Sequence, residues 1–156
     1  MVIRTEHVLS VAVSTGRLGF AFLVDGTPYD WGLSLVASES TRSAYEHTTA
    51  WIEYYQPQLV VTERVDGNSR KGTVSRDLNN AILKAAQQAN VEIACVDRIQ
   101  RHANKFAEAQ ALAERFPELQ PYVPKPRKQW ESEPRRMIMF EAVSMALSVT
   151  DFAADA

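Results

Sequence analysis

Residues 7–13 are apolar almost without interruption (HVLSVAV), the pattern of a strand buried on both faces and therefore central in its sheet. Ser14-Thr15-Gly16-Arg17 supplies a turn in which Gly16 can take a positive φ, and residues 18–24 read as the returning strand. Asp25-Gly26 is a strong tight-turn signal, and residues 29–36 complete a three-stranded antiparallel meander. Past Ser38 and Ser40, either of them a fitting N-cap, the period becomes helical. Ala44, Thr48, Trp51 and Tyr55 share one face until Pro57 stops the helix.

Residues 59–63 (LVVTE) form a short apolar strand ending in an acid. A long helical connection between two buried strands predicts a crossover that lays this fourth strand parallel to a central one. A polar loop over residues 66–74 leads to a helix with Leu78, Ala81, Ile82, Ala85 and Ala89 at helical spacing and Asn90 at its C-terminal end. Residues 91–96 give a fifth strand. A helix is expected over residues 104–116, a proline-rich connector over 117–126, and a last helix opened by Pro134 as its first residue. The reading is an α/β fold: one five-stranded mixed sheet, order 3-2-1-4-5, with helices on both faces. It is a single domain over residues 1–156, compact from about 7 to 149.

Composition agrees with one globular domain: 46% of the 156 residues are hydrophobic and 23% charged. A chain of this length buries about two thirds of the surface its unfolded form exposes, so neither a disulfide nor a metal is needed for folding. The lone Cys95 excludes an internal disulfide and a Cys-rich zinc site, and fits a reducing cytoplasm. No apolar run approaches the roughly 20 residues of a membrane span, and no signal-peptide pattern opens the chain, so a cytoplasmic protein without membrane contact is expected. The formal net charge of −2 hides an uneven distribution. Residues 1–63 carry 3 basic and 7 acidic side chains, whereas residues 98–136 carry 9 basic and 5 acidic, a block where a polyanion could be held.

Two acids stand at informative places. Glu63 ends a buried strand, where ligand sites form in open α/β sheets. Glu141 borders the apolar stripe of Ile138, Ala142, Met145 and Val149 on the last helix, so it must find a partner, a metal ion or a proton. Taken singly, a strand-end acid is more often a cap or surface group, and a stripe-edge Glu more often reaches solvent or an Arg such as Arg135. Three segments join these acids to the strand order: VLSVAVSTGRLGFA over 8–21, VVTE over 60–63 and FEAVSMAL over 140–147. Together they resemble the ribonuclease H-like superfamily, and within it the RuvC type of Holliday-junction resolvase, over nearly the whole chain.

The resemblance implies a Mg²⁺- or Mn²⁺-dependent endodeoxyribonuclease that works as a homodimer on branched DNA, with Glu63 and Glu141 as catalytic residues and metal ligands. It also exposes departures. Counting back from Gly19, the family's first Asp falls on Ala12; the last-helix Asp falls on Glu141; and a further acid one turn on is replaced by Ser144. Two-metal hydrolysis holds its ions about 3.5–4 Å apart with shared carboxylates, and hydroxyls such as those of Ser14 or Thr15 replace a carboxylate poorly. Losing about 4 kcal/mol of stabilisation already costs about a thousandfold in rate. Asp66 is a candidate third metal ligand and Asp97 a further substitute, against their ordinary readings as a turn residue and a strand-end acid paired with Arg98. The expectation is therefore a RuvC-like protein acting on branched or structured DNA with hydrolysis weak or lost. The alternative is a non-catalytic DNA-structure or partner-binding protein on the same fold.

Arg70, Lys71 and Arg76 follow Glu63; Arg101 and Lys105 follow the fifth strand; Lys128 and Arg135 bracket Trp130. These seven basic residues are the expected phosphate contacts, with Trp130 either stacking on a base or plugging the last helix onto the body. His7, His47 and His102 have no zinc-ligand spacing, and no dinucleotide or P-loop fingerprint is present.

Overall fold

In the computed structural model the described residues are 7–14, 16–64, 72–97, 104–125 and 134–154, with backbone alone for 151–154. Strand β1 (His7–Ser14) is buried along all but its ends, as a strand with an apolar residue on each face must be. It pairs antiparallel with β2 (Arg17–Val24) and parallel with β4 (Leu59–Glu63). The β2–β3 turn places both Asp25 (φ 52) and Gly26 (φ 79) in the left-handed region, the signature of a two-residue type I′ hairpin. Strand β3 (Thr27–Ser34) returns beside β2 with a bulge between Phe22 and Leu23, and β5 (Glu92–Val96) lies parallel to β4. The sheet order is β3-β2-β1-β4-β5, as the sequence predicts.

Alternation along the strands makes two cores. Leu9, Val11, Val13 and Val60 face α1 (Thr41–Tyr55) and α2 (Thr73–Gln88). Val8, Ala12, Leu59 and Val61 face the other way, onto α3 (Lys105–Arg115) and α4 (Met137–Ala154). Among the described residues no helix is long and apolar enough to cross a membrane.

Caps fix the helix ends. Ser40 Oγ accepts from the Ser43 amide at 3.0 Å to start α1, and Asn104 Oδ1 accepts from the Ala107 amide at 2.8 Å to start α3. At the end of α2, Asn90 takes φ 56 while the amides of Asn90 and Val91 donate to the carbonyls of Gln87 and Ala86, a Schellman closure.

Several boundaries differ from the sequence reading, each for a local reason. β3 begins and ends two residues earlier than expected, because the two-residue turn leaves no slack. Ser34 Oγ then accepts from the Ala37 amide at 3.0 Å and turns the chain into a 3₁₀ segment, Val36–Ser38. Ala89 is the exposed C-cap of α2, not part of its buried face, and the Val91 amide serves that cap, so β5 starts at Glu92. The proline-rich connector holds a 3₁₀ helix, Pro117–Tyr122, that buries Leu119. Pro134 precedes α4 instead of opening it: its carbonyl accepts from the Met137 amide at 3.1 Å and from Arg17 Nη1 at 3.3 Å. On α1, Ile52 is buried with Ala44 and Thr48, while Trp51 and Tyr55 lie at the rim against Phe20 and Phe22.

Tyr55 donates its hydroxyl hydrogen bond to Asp30 on β3, tying α1 to the sheet edge. Burial first, then the hydrogen bond to Asp30 and its charge, raise the Tyr55 pKa well above the ordinary phenol value. The folded state thus keeps a proton that the unfolded chain begins to lose near pH 10, so this contribution is full below that pH and declines as pH rises above it. Urea midpoints measured from pH 8 to 11 should fall more steeply for the wild type than for Tyr55→Phe. Equal slopes would remove Tyr55 as the cause.

Candidate active site

The C-terminal ends of β1 and β4 and the second turn of α4 converge on one face of the sheet. Ala12, 2% exposed, lies in the core on the α4 face and pairs across the ladder with Gly19 of β2. A Cβ on Gly19 would come within 2.8 Å of the Ile138 side chain and of its carbonyl oxygen, so glycine is what lets α4 close on the sheet here. Glu141 lies one helical turn beyond Ile138. Glu63, half-buried, ends β4 on the same face as Leu59 and Val61, because side chains two residues apart on a strand share a face. The fold therefore brings to one face the three positions that the family resemblance singles out: Ala12, Glu63 and Glu141.

Their chemistry is not that of a carboxylate cluster. Ala12 presents a methyl group. The Glu141 side chain is 9% exposed and its Oε1 lies 3.0 Å from the ammonium of Lys105, the first residue of α3, whose side chain is 38% exposed. The sequence suggested Arg135 as the ordinary partner of this acid. Arg135 instead stands exposed in the turn before α4, and the observed cation comes from a different helix. Among the described residues, no three His, Cys, Asp or Glu side chains come close enough together to hold a metal ion. The donors described here thus do not fit a two-metal centre: one expected ligand is a methyl and another is engaged by an ammonium.

The remaining candidates divide clearly. Asp97 is exposed with its carboxylate 3.9 Å from Arg64 Nη1, and such a surface pair contributes little. Arg76, early in α2, is half-buried, and its Nε has no hydrogen-bond partner among the described residues. Asp66, Arg70, Lys71, Arg101 and Lys128, with Arg98 and Trp130, lie outside the described residues. Two features had escaped sequence reasoning. One is the Lys105–Glu141 pair. The other is a buried link in which Thr62 Oγ1 donates to Asn79 Oδ1 at 3.1 Å, pinning the end of β4 to α2 just before Glu63. An amide beside Leu78 on an otherwise apolar helix face was the signal for it.

Solved structures share this architecture from end to end. Thermus thermophilus RuvC superposes with a TM-score of 0.67 at 15% identity, covering 96% of each chain. The yeast mitochondrial Holliday junction resolvase Ydc2 gives 0.69 at 10% identity, covering 99% of this chain and 83% of its own. The fold is that of the RuvC resolvases. The Fowlpox virus resolvase, in complex with substrate Holliday junction DNA, superposes with a TM-score of 0.56 at 11% identity, covering 93% of this chain and 99% of its own. At the level of sequence, no protein-family model and no curated protein matches the chain.

Proposed function

We propose that this protein binds branched DNA, four-way junctions in particular, and holds it with phosphodiester hydrolysis weak or lost. The observation that carries the second half is the engagement of Glu141 by Lys105 on the face where Ala12 replaces the family's first acid. A Lewis acid in that place would polarise a phosphoryl oxygen and lower the pKa of a bound water; a methyl does neither, and an ammonium does not acidify a water. The first half rests on the RuvC-like fold, whose neighbours include proteins described with Holliday junction substrates. It also rests on the basic residues after β4 and β5 and before α4: Arg70, Lys71, Arg76, Arg101, Lys128 and Arg135. A homodimer belongs to the same reading, since a junction offers two symmetric strands.

The test compares a four-way junction with a matched duplex, in EDTA and in Mn²⁺, at several salt concentrations. Junction binding should exceed duplex binding and be equal in EDTA and Mn²⁺. It should weaken steeply with salt, because released counter-ions supply most of the affinity. Gel filtration of the same preparation should return a dimer. Equal binding to junction and duplex would overturn the branched-DNA reading. Mn²⁺-dependent cleavage by the wild type that Glu63→Gln abolishes would restore the nuclease, with Asp66 as the next ligand to replace.

A further inference from the structure

Lys105 occupies a position that helix energetics disfavours. It is the first residue of α3, where unpaired amides concentrate positive charge and a cation is destabilising. Its ammonium nevertheless reaches across to α4 and meets, at 3.0 Å, a carboxylate that is almost wholly removed from water. A buried carboxylate needs a compensating charge, and in a metal-dependent relative of this fold a divalent ion bridging several acids would supply it. With Ala12 in place of one of those acids, the negative charge on this face is smaller, and the Lys105 ammonium stands as a counter-charge at Glu141.

We infer that Lys105 is the resident cation of this site, a tethered ammonium that has taken over the charge-compensating role of a divalent metal at Glu141. The inference rests on the non-cutting reading above and gives it a cause. The ammonium supplies the electrostatic half of what a metal does, holding the carboxylate ionised and α3 against α4. It cannot coordinate a water and lower its pKa as a Lewis acid does, so it leaves the chemical half undone. A divalent ion arriving from solution meets a fixed positive charge at Glu141 and no acid at position 12. The site is therefore metal-independent by construction, and two substitutions should reopen it: Ala12→Asp returns a ligand and Lys105→Met removes the competing charge.

The experiment is Mn²⁺ binding to the full chain, followed by the electron paramagnetic resonance of free Mn²⁺ and by thermal melts in Mn²⁺ against EDTA. Wild type and Lys105→Arg should show no saturable micromolar site and no Mn²⁺-dependent shift in melting. A12D/K105M should bind Mn²⁺ about tenfold or more tighter than A12D alone, because removing a like charge a few ångströms from the ion lifts a repulsion of that order. Equal Mn²⁺ affinity in A12D with and without Lys105 would overturn the inference. Should A12D/K105M fail to fold, wild type against Glu141→Gln decides: a micromolar site in the wild type that this substitution abolishes would show that Lys105 never displaced the metal, and no such site would support the inference. Junction binding in EDTA is scored separately. Its absence would remove the DNA reading and leave the metal result standing, whereas a wild-type metal site would remove the inference and leave metal-free junction binding standing.

Discussion

Gly19→Val should lower the unfolding free energy by about 3 kcal/mol, the upper end of overpacking costs, measured as a drop in the urea midpoint. Even the first added carbon falls 2.8 Å from Ile138 Cγ1, Cγ2 and carbonyl oxygen. The side chain can rotate away, but the oxygen belongs to the α4 backbone, so the helix itself must retreat. Gly19→Ala should therefore still destabilise the protein in an Ile138→Ala background, relative to Ile138→Ala alone. The consequence reaches the site, since Glu141 is carried on the next turn of the same helix and α3 holds its partner. A change within about 0.5 kcal/mol, the range of ordinary surface substitutions, would mean that α4 is not held against β2 as described.

How far the sequence could take this picture follows from which forces are local. The apolar run of β1, the two-residue turn at Asp25-Gly26, the Ser40 cap and Asn90 at the end of α2 are all set by neighbours within a few residues, and each stands in the structure. The crossover to β4 and the order of the sheet followed because a buried strand needs neighbours on both sides. The errors came where hydropathy and hydrogen bonding part company. Leu35 and Val36 extend the apolar run beyond β3, yet the strand ends at Ser34 and both side chains are exposed.

The site was legible to the same extent. Strand period sets Glu63 on the face of β4 that carries Leu59 and Val61, the face onto which α4, the helix of Glu141, packs. The cation beside Glu141 was not legible. Arg135 is closer along the chain, but what selects Lys105 is the docking of α3 beside α4, a tertiary relation with no trace in the local sequence around either residue. The Thr62–Asn79 link is of the same kind, two ordinary residues made significant by burial against each other.

The same tertiary dependence makes the ion pair measurable. Lys105→Met should destabilise the protein by about 1–3 kcal/mol, the cost of leaving a charged buried acceptor without one of its donors. The value stays below the several kcal/mol of a fully buried pair because the lysine side chain is 38% exposed and partly screened by solvent. Replacing both partners, in K105M/E141L, should return most of that stability, since two apolar side chains of similar length can pack where the charges were and no desolvated carboxylate remains. A double-mutant cycle through Lys105→Met and Glu141→Leu should then report a coupling of about 1 kcal/mol or more, persisting at high salt where surface pairs fade. A coupling that vanished at 1 M salt would reduce the pair to a surface contact, and Lys105 would return to the set of side chains free to meet a phosphate.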